Sequence, residues 1–280
     1  MENKVNPLKQ YFRKPGLWIK LPSQGNYYKT KPSDLNDMGE IAIYPMTAKD
    51  ELMLKNADAL LNGSAITGLI NSCVPSIVDP ENMPAVDLDA ILVGIKRSTY
   101  GEKMSVTTKH NCEHAKETEF DLNLNMLISS IQVVEEIPPI DFDSGIKVYI
   151  KPVTVKNILS LNWVQYEQVR ILQMAEQQNV DEKTKMDLLQ QSYLALTNES
   201  INIVSSCIDT VLLPDGNAVT DKEMIKEWIT DIAKPDYARL EKTIMETSTK
   251  GVSKKFTVKC QECGADYDAN IDLNPTTFFA

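Results

Sequence analysis

Of the five cysteines and two histidines in this 280-residue chain, five residues fall in two short phrases. The first phrase is Lys109-His110-Asn111-Cys112-Glu113-His114, followed by Phe120-Asp121-Leu122-Asn123. The second is Val258-Lys259-Cys260-Gln261-Glu262-Cys263, followed by Ile271-Asp272-Leu273-Asn274. Each reads as a strand, a thiol or imidazole turn, and a second strand ending in Asp-Leu-Asn, so one hairpin recurs. Two hairpins that each offer two soft donors make a zinc-ribbon-like element, with four N/S ligands around one ion. Cys260-x-x-Cys263 has the spacing that lets both sulfurs reach one metal, and Gly264 after it suits a left-handed turn residue. Cys112-x-His114 is a narrower gap. Cys112 and His114 align with Cys260 and Cys263 after a one-residue deletion, which makes Cys112, His114, Cys260 and Cys263 the first-choice set. His110 is the alternative to His114. Four protein ligands leave no open coordination position, so a Zn2+ ion here would be structural.

Two other readings of the thiols stand beside the zinc site: a degenerate ribbon without metal, and a redox pair. A redox CxxC usually caps a helix, whereas this one lies between strand-like segments. Cys73 and Cys207 sit on apolar helical faces and read as core residues. No catalytic motif accompanies the thiols. The sequence has no Walker-type phosphate loop, no GxSxG and no HExxH. Glu135-Glu136, Asp141 and Asp143 read as solvated turn charges, and Asp87 and Asp89 as caps or dipole partners at a helix start. The expectation is a protein that is not an enzyme.

The elements that would position the phrases follow from periodicity. Residues 1–45 form an extended arm and a first strand, Glu40 to Tyr44. The arm carries Trp18, Tyr27 and Tyr28, rings that pack on the chain's own core or bind a partner. Residues 46–101 read as a small helical unit: Thr47 caps a helix running to Leu61, Ser64 caps a second, and Val86 to Tyr100 is a third. Residues 102–151 and 251–280 form the β, ribbon-like domain, with strands at Lys103–Thr108, Glu117–Leu124, Ile131–Val134 and Ile146–Ile150. Between them, residues 152–250 read as a helical insertion, with helices from Thr154, at Met186–Leu196, at Ile201–Leu213, after a Thr220/Glu223 capping box, and from Pro235. Its Met- and Gln-rich stretch, Gln165 to Gln191, reads as a partner-binding helix face or as ordinary amphipathic packing. The fold class is therefore α+β: an N-terminal helical unit, a small ribbon made by two remote hairpins, and a mostly helical insertion.

Composition narrows the partners. Hydrophobic residues make up 42% and charged residues 24%, which is ordinary for a globular chain. The net charge of −10 counts against nucleic acid as the main partner. No apolar run approaches a membrane helix or a signal peptide, and an odd cysteine count suits a reducing compartment.

Several phrases together resemble the baseplate hub subunit family of T-even-type contractile-tailed bacteriophages. They are Gly16-Leu17-Trp18-Ile19-Lys20-Leu21-Pro22-Ser23-Gln24-Gly25-Asn26-Tyr27-Tyr28, Pro45-Met46-Thr47-Ala48-Lys49-Asp50-Glu51, Leu60-Leu61-Asn62-Gly63 and Lys96-Arg97-Ser98-Thr99-Tyr100-Gly101. The CxxC with Asn274-Pro275-Thr276-Thr277-Phe278-Phe279 completes the set. His114 departs from it, since a cysteine pair is more usual there. The resemblance implies a structural or assembly protein of the hub, acting with other phage tail and baseplate proteins in an oligomeric assembly. It would reside in the host cytoplasm during assembly and in the virion tail baseplate if retained. The alternative from another class is a zinc-ribbon adaptor for nucleic acid or transcription machinery, supported by Lys250, Lys254, Lys255 and Lys259.

Overall fold

A computed structural model of the chain describes residues 6–110, 112, 117–177, 181–260, 262–273 and 278–279. Its architecture is mixed helix and sheet, with several small antiparallel sheets. Strand β1 (Leu17–Lys20) pairs antiparallel with β2 (Glu40–Ile43), setting Leu17 opposite Ile43 and Ile19 opposite Ile41. The pairing puts Ile19, Ile41 and Ile43 in one apolar layer, and all three are fully buried. That layer lies against helix α4 (Val86–Tyr100), where Gly94 permits the approach: a Cβ there would sit 3.2 Å from both Ile19 and Ile43.

Between β2 and α4 the chain forms α1 (Ala48–Leu54), α2 (Ala57–Leu61) and α3 (Ser64–Cys73). Thr47 and Asp50 make a reciprocal capping box at α1, as their spacing suggests. The single helix expected from Thr47 to Leu61 is in fact two. Asn56 interrupts it by capping α2 through its side chain, which accepts from the Ala59 amide. Helix α3 is preceded by Gly63 at φ +77, not capped by the Ser64 side chain.

After α4 come the hairpin β3 (Lys103–Lys109) with β4 (Glu117–Asn123), the short α5 (Leu124–Ser129), β5 (Ile140–Asp141) and β6 (Lys147–Ile150). Ile131–Val134 is not a strand; Gln132 makes only an isolated bridge to Gly251. Two long helices follow, α6 (Val155–Gln177) and α7 (Glu182–Cys207), and they pack on each other. The helix expected at Ile201–Leu213 ends at Cys207, and the remainder is strand β7 (Ile208–Leu212). Ile208, Thr210 and Val211 are β-branched and suit a pleated surface better than a helix. Strand β7 joins β6 on one side and β8 (Ala218–Val219) on the other, giving the antiparallel order β5-β6-β7-β8. Helix α8 (Lys222–Asp231) is capped by Asp221, one residue after the expected Thr220. Helix α9 (Lys234–Ser248) follows, then the hairpin β9 (Lys255–Lys259) with β10 (Asp266–Asn270).

Two buried clusters organise these elements. The first joins β1, β2, α3 and α4 to Leu122, Leu124, Val252, Ile271, Leu273 and Phe278. The second joins β6, β7, the end of α7, α8 and α9. The C-terminal segment thus packs on the N-terminal core. Phe278 is fully buried, and Lys96 of α4 lies 5.0 Å over its ring while donating to its carbonyl.

Two buried carboxylates fasten the arm. Asp50 forms an ion pair with Arg13 at 3.6 Å, and the Arg13 guanidinium donates to the carbonyls of Pro45 and Ser72. Asp87 accepts from the Ser23 amide at 2.8 Å, the Ser23 hydroxyl at 2.5 Å and the Tyr28 hydroxyl at 2.8 Å. Asp87 lies in the first turn of α4 but does not cap it: it is fully buried, and burial pushes its pKa up to about 6 against the pull of those three donors. These bonds hold a turn in which Gln24 and Tyr27 take left-handed φ values of 53° and 66°. Asp89, its neighbour one turn-face away, instead pairs with Lys254 at 2.7 Å.

Candidate metal centre

The sequence of the second hairpin dictates a tight knuckle. The Cys260 amide donates to the Ala265 carbonyl at 2.8 Å, and the Gly264 amide donates back to the Cys260 carbonyl at 2.9 Å. Gly264 takes φ +73, the left-handed conformation its position calls for. This turn directs the amides of Cys263 and Glu262 at the Cys260 sulfur. Those amides, helped by the His110 and Cys263 side chains, lower the Cys260 thiol to about 6. Cys260 is thus poised as a thiolate, the form that ligates metal.

The first hairpin delivers the other donors. His110 directly follows β3, and the Cys112 amide donates to the His110 carbonyl at 3.1 Å. The ligand atoms of His110, Cys112, Cys260 and Cys263 all lie within 4.8 Å of one another. His110 Nδ1 and Cys263 Sγ are 3.4 Å apart across 153 residues of chain. A tetrahedral zinc ion with ordinary Zn–N and Zn–S bond lengths needs about 3.6 Å between such a pair. The donor set of one imidazole and three thiols therefore fits zinc in chemistry and in spacing. His114 lies outside the described residues; among those described, His110 is the imidazole that joins the three cysteines.

Three contacts between the hairpins support the cluster, and none was evident from spacing. The His110 ring stacks on Tyr267 with centroids 4.6 Å apart. The Tyr267 hydroxyl lies 2.6 Å from the Thr108 hydroxyl. Phe120 meets Phe256 at 5.2 Å. A ring stacked on a ligating imidazole and bonded behind it is the sort of outer contact that fixes ligand orientation. The signal in the sequence is Tyr267 itself, an aromatic residue four positions after the CxxC.

The remaining singled-out residues lie elsewhere. Cys73 and Cys207 are buried in the two cores, where burial pushes each thiol up to about 11. Of the arm's rings, Trp18 is about half exposed (49%) and Tyr28 is bonded to Asp87. Glu135, Glu136, Asp141 and Asp143 are exposed, but Asp141 belongs to strand β5, not a turn, and pairs with Lys147 at 3.3 Å. No helix among the described residues is long and apolar enough to cross a membrane.

Neither the curated proteins nor the solved structures contain a match to the chain. Its kinship comes from a family-level pattern that spans both hairpins and both cores. The model described as T4 bacteriophage base plate protein matches residues 19–280, nearly the whole chain, and the chain belongs to that family.

Proposed function

We propose that this chain is a non-enzymatic structural or assembly protein of the baseplate hub of a contractile phage tail, stapled by a structural zinc ion. The family match across residues 19–280 carries the baseplate reading, and with it an association with other tail proteins. The hub assignment rests on the phrases around Leu21-Pro22-Ser23 and Lys96 to Gly101. The four-donor cluster supports the staple. His110, Cys112, Cys260 and Cys263 would hold the ion, with His114 as the competing imidazole. Bound there, zinc would supply folding free energy by tying the C-terminal hairpin to the middle of the chain. The two hairpins would then act as halves of one ribbon, residues 102–151 with 251–280, and residues 152–250 as the insertion between them. Trp18, Tyr27 and Tyr28 are the arm residues proposed to meet partners.

Elemental analysis of the purified chain tests the staple. One zinc per chain is expected, lost in Cys260→Ser and in His110→Ala and kept in His114→Ala. A metal-free wild-type protein purified from zinc-replete cells would remove it. Mass spectrometry of purified virions tests the hub role in the particle: retention shows a component, and absence leaves an assembly factor. The nucleic-acid adaptor has less support, since Lys254, one of its four lysines, is engaged by Asp89. Retention on a DNA column that declines with salt would revive it.

A further inference from the structure

The N-terminal arm differs in chemistry from the body it is attached to. Residues 6–20 contain Lys9, Arg13, Lys14 and Lys20 and no acid, on a chain of net charge −10. Arg13 roots the arm on the first core through Asp50, Pro45 and Ser72. Beyond that root, none of the arm's described residues is buried. Its tip is a 3-10 turn, Pro7–Tyr11, with no buried residue. Leu8, Tyr11 and Phe12 are 61%, 77% and 58% exposed. Residues 6–18 also lie outside the family match, which starts at residue 19.

A groove of matching chemistry lies on the second core, between α8 and the turn joining β5 to β6. Its volume is about 1190 Å³. Phe142, Met224 and Trp228 supply an apolar floor, with the Phe142 and Trp228 rings edge-on at 5.9 Å. Glu223, Glu227, Asp231 and Asp236 line it, Lys226 is the only basic residue among the described lining residues, and Arg239 lies 5.9 Å over the Phe142 ring. None of those four carboxylates forms an ion pair among the described residues.

We propose that the arm of one copy, through Tyr11, Phe12 and Lys9, docks in the α8 groove of a second copy of this chain. Charge complementarity selects the occupant: a basic arm with exposed rings meets an acidic groove with an aromatic floor. Root and groove belong to different cores. The contact runs from arm to groove: exchanged reciprocally it closes a two-fold dimer, and passed on in one direction it builds a ring or a filament. The proposal goes beyond the baseplate reading and uses none of the cysteine or histidine residues.

Sedimentation velocity on the full chain tests it. The wild type is expected to self-associate with concentration. Tyr11→Ser with Phe12→Ser removes the arm's rings, and Glu223→Lys with Glu227→Lys inverts the groove. Each double variant should weaken association by at least about tenfold. An equimolar mixture of the two should form dimers and stop there, because one intact arm meets one intact groove. As a check that does not depend on the groove variant folding, a labelled peptide of residues 6–15 should bind the arm-ring variant, and more weakly as salt rises. A wild type that stays monomeric at about 100 μM overturns the proposal. So does a double variant that associates like the wild type, a mixture that remains monomeric, or a peptide that does not bind.

Discussion

Asp87 sets a pH dependence opposite in sign to that of an ordinary surface carboxylate. Its side chain is fully buried, and its pKa rises from 3.8 to about 6 because burial penalises the charge more than three donors reward it. As pH falls through about 6 the folded chain takes up a proton at Asp87, while the unfolded chain does so only near 3.8. Over that window the native state binds more protons, so this residue makes the fold more stable toward acid and less stable toward neutrality. Between about pH 7 and pH 4 the gain is about 2 kcal/mol, an order-of-magnitude figure from the two pKa values. The assay is urea unfolding of the wild type and Asp87→Asn across that range, read as the difference between them so that common carboxylates cancel. The asparagine is costly throughout, because its amide nitrogen faces hydroxyl donors, but it has no proton to gain. The gap between the proteins should therefore widen toward acid. A gap that stays flat within about 0.5 kcal/mol would show that Asp87 does not titrate in this window and would refute the reasoning. Tyr28→Phe is the companion variant: it should cost about 1.5–3 kcal/mol near pH 7, as loss of a hydrogen bond to a charged group. It should also move the titration to higher pH, since that bond holds the carboxyl down.

Arg13→Ala should cost about 2 kcal/mol, because it strips buried Asp50 of its cation and two carbonyls of their donor. The figure sits below that for a fully buried pair because Arg13 is partly exposed and Asp50 keeps Thr47 and Ser72; unchanged thermal stability would show the root is loose. Tyr267→Leu should weaken zinc affinity about tenfold by removing the ring behind His110 and the bond to Thr108. Competition with a chromophoric chelator reads this, and an unchanged affinity would reduce Tyr267 to a space-filler.

Legibility in the sequence followed the range of the interaction. Helix α4 could be read to the residue, because its apolar spacing and the glycine after Tyr100 are local signals. The knuckle at Cys260 is equally plain, since its geometry is contained in the consecutive residues Cys260 to Ala265. Strand β7 was hidden because it follows α7 without a breaker, and β6, its partner, lies some 60 residues earlier. Asp87 looked like a helix-start charge because nothing nearby reveals that Ser23 and Tyr28 arrive from the arm. The imidazole was ambiguous for the same reason. Spacing alone favours His114, whereas the partner that supports His110 is Tyr267, on the other hairpin.

The burial of those hairpins bears on where the proposed staple would act. Strand β3 has no buried residue and neither has β9. Strand β4 buries only Leu122, and β10 only Ala269. A two-stranded sheet with so little burial is marginal in water. The bases of the hairpins are secured by Leu122, Ile271 and Leu273 in the first core, but that support does not extend to the tips. There the hairpins share the His110–Tyr267 stack, the Tyr267–Thr108 hydroxyl pair and the thiol–imidazole cluster, while Phe120 and Phe256 pack against the first core. One aromatic pair and one hydroxyl pair contribute about 1–2 kcal/mol together. That is small against the ordering cost of two hairpins whose strands run 7 and 5 residues each, at about 1 kcal/mol or more per residue. A structural zinc ion contributes about 10 kcal/mol or more at neutral pH. The tips are therefore where a metal bound as proposed would change the fold most, and chelation should then loosen them before either core.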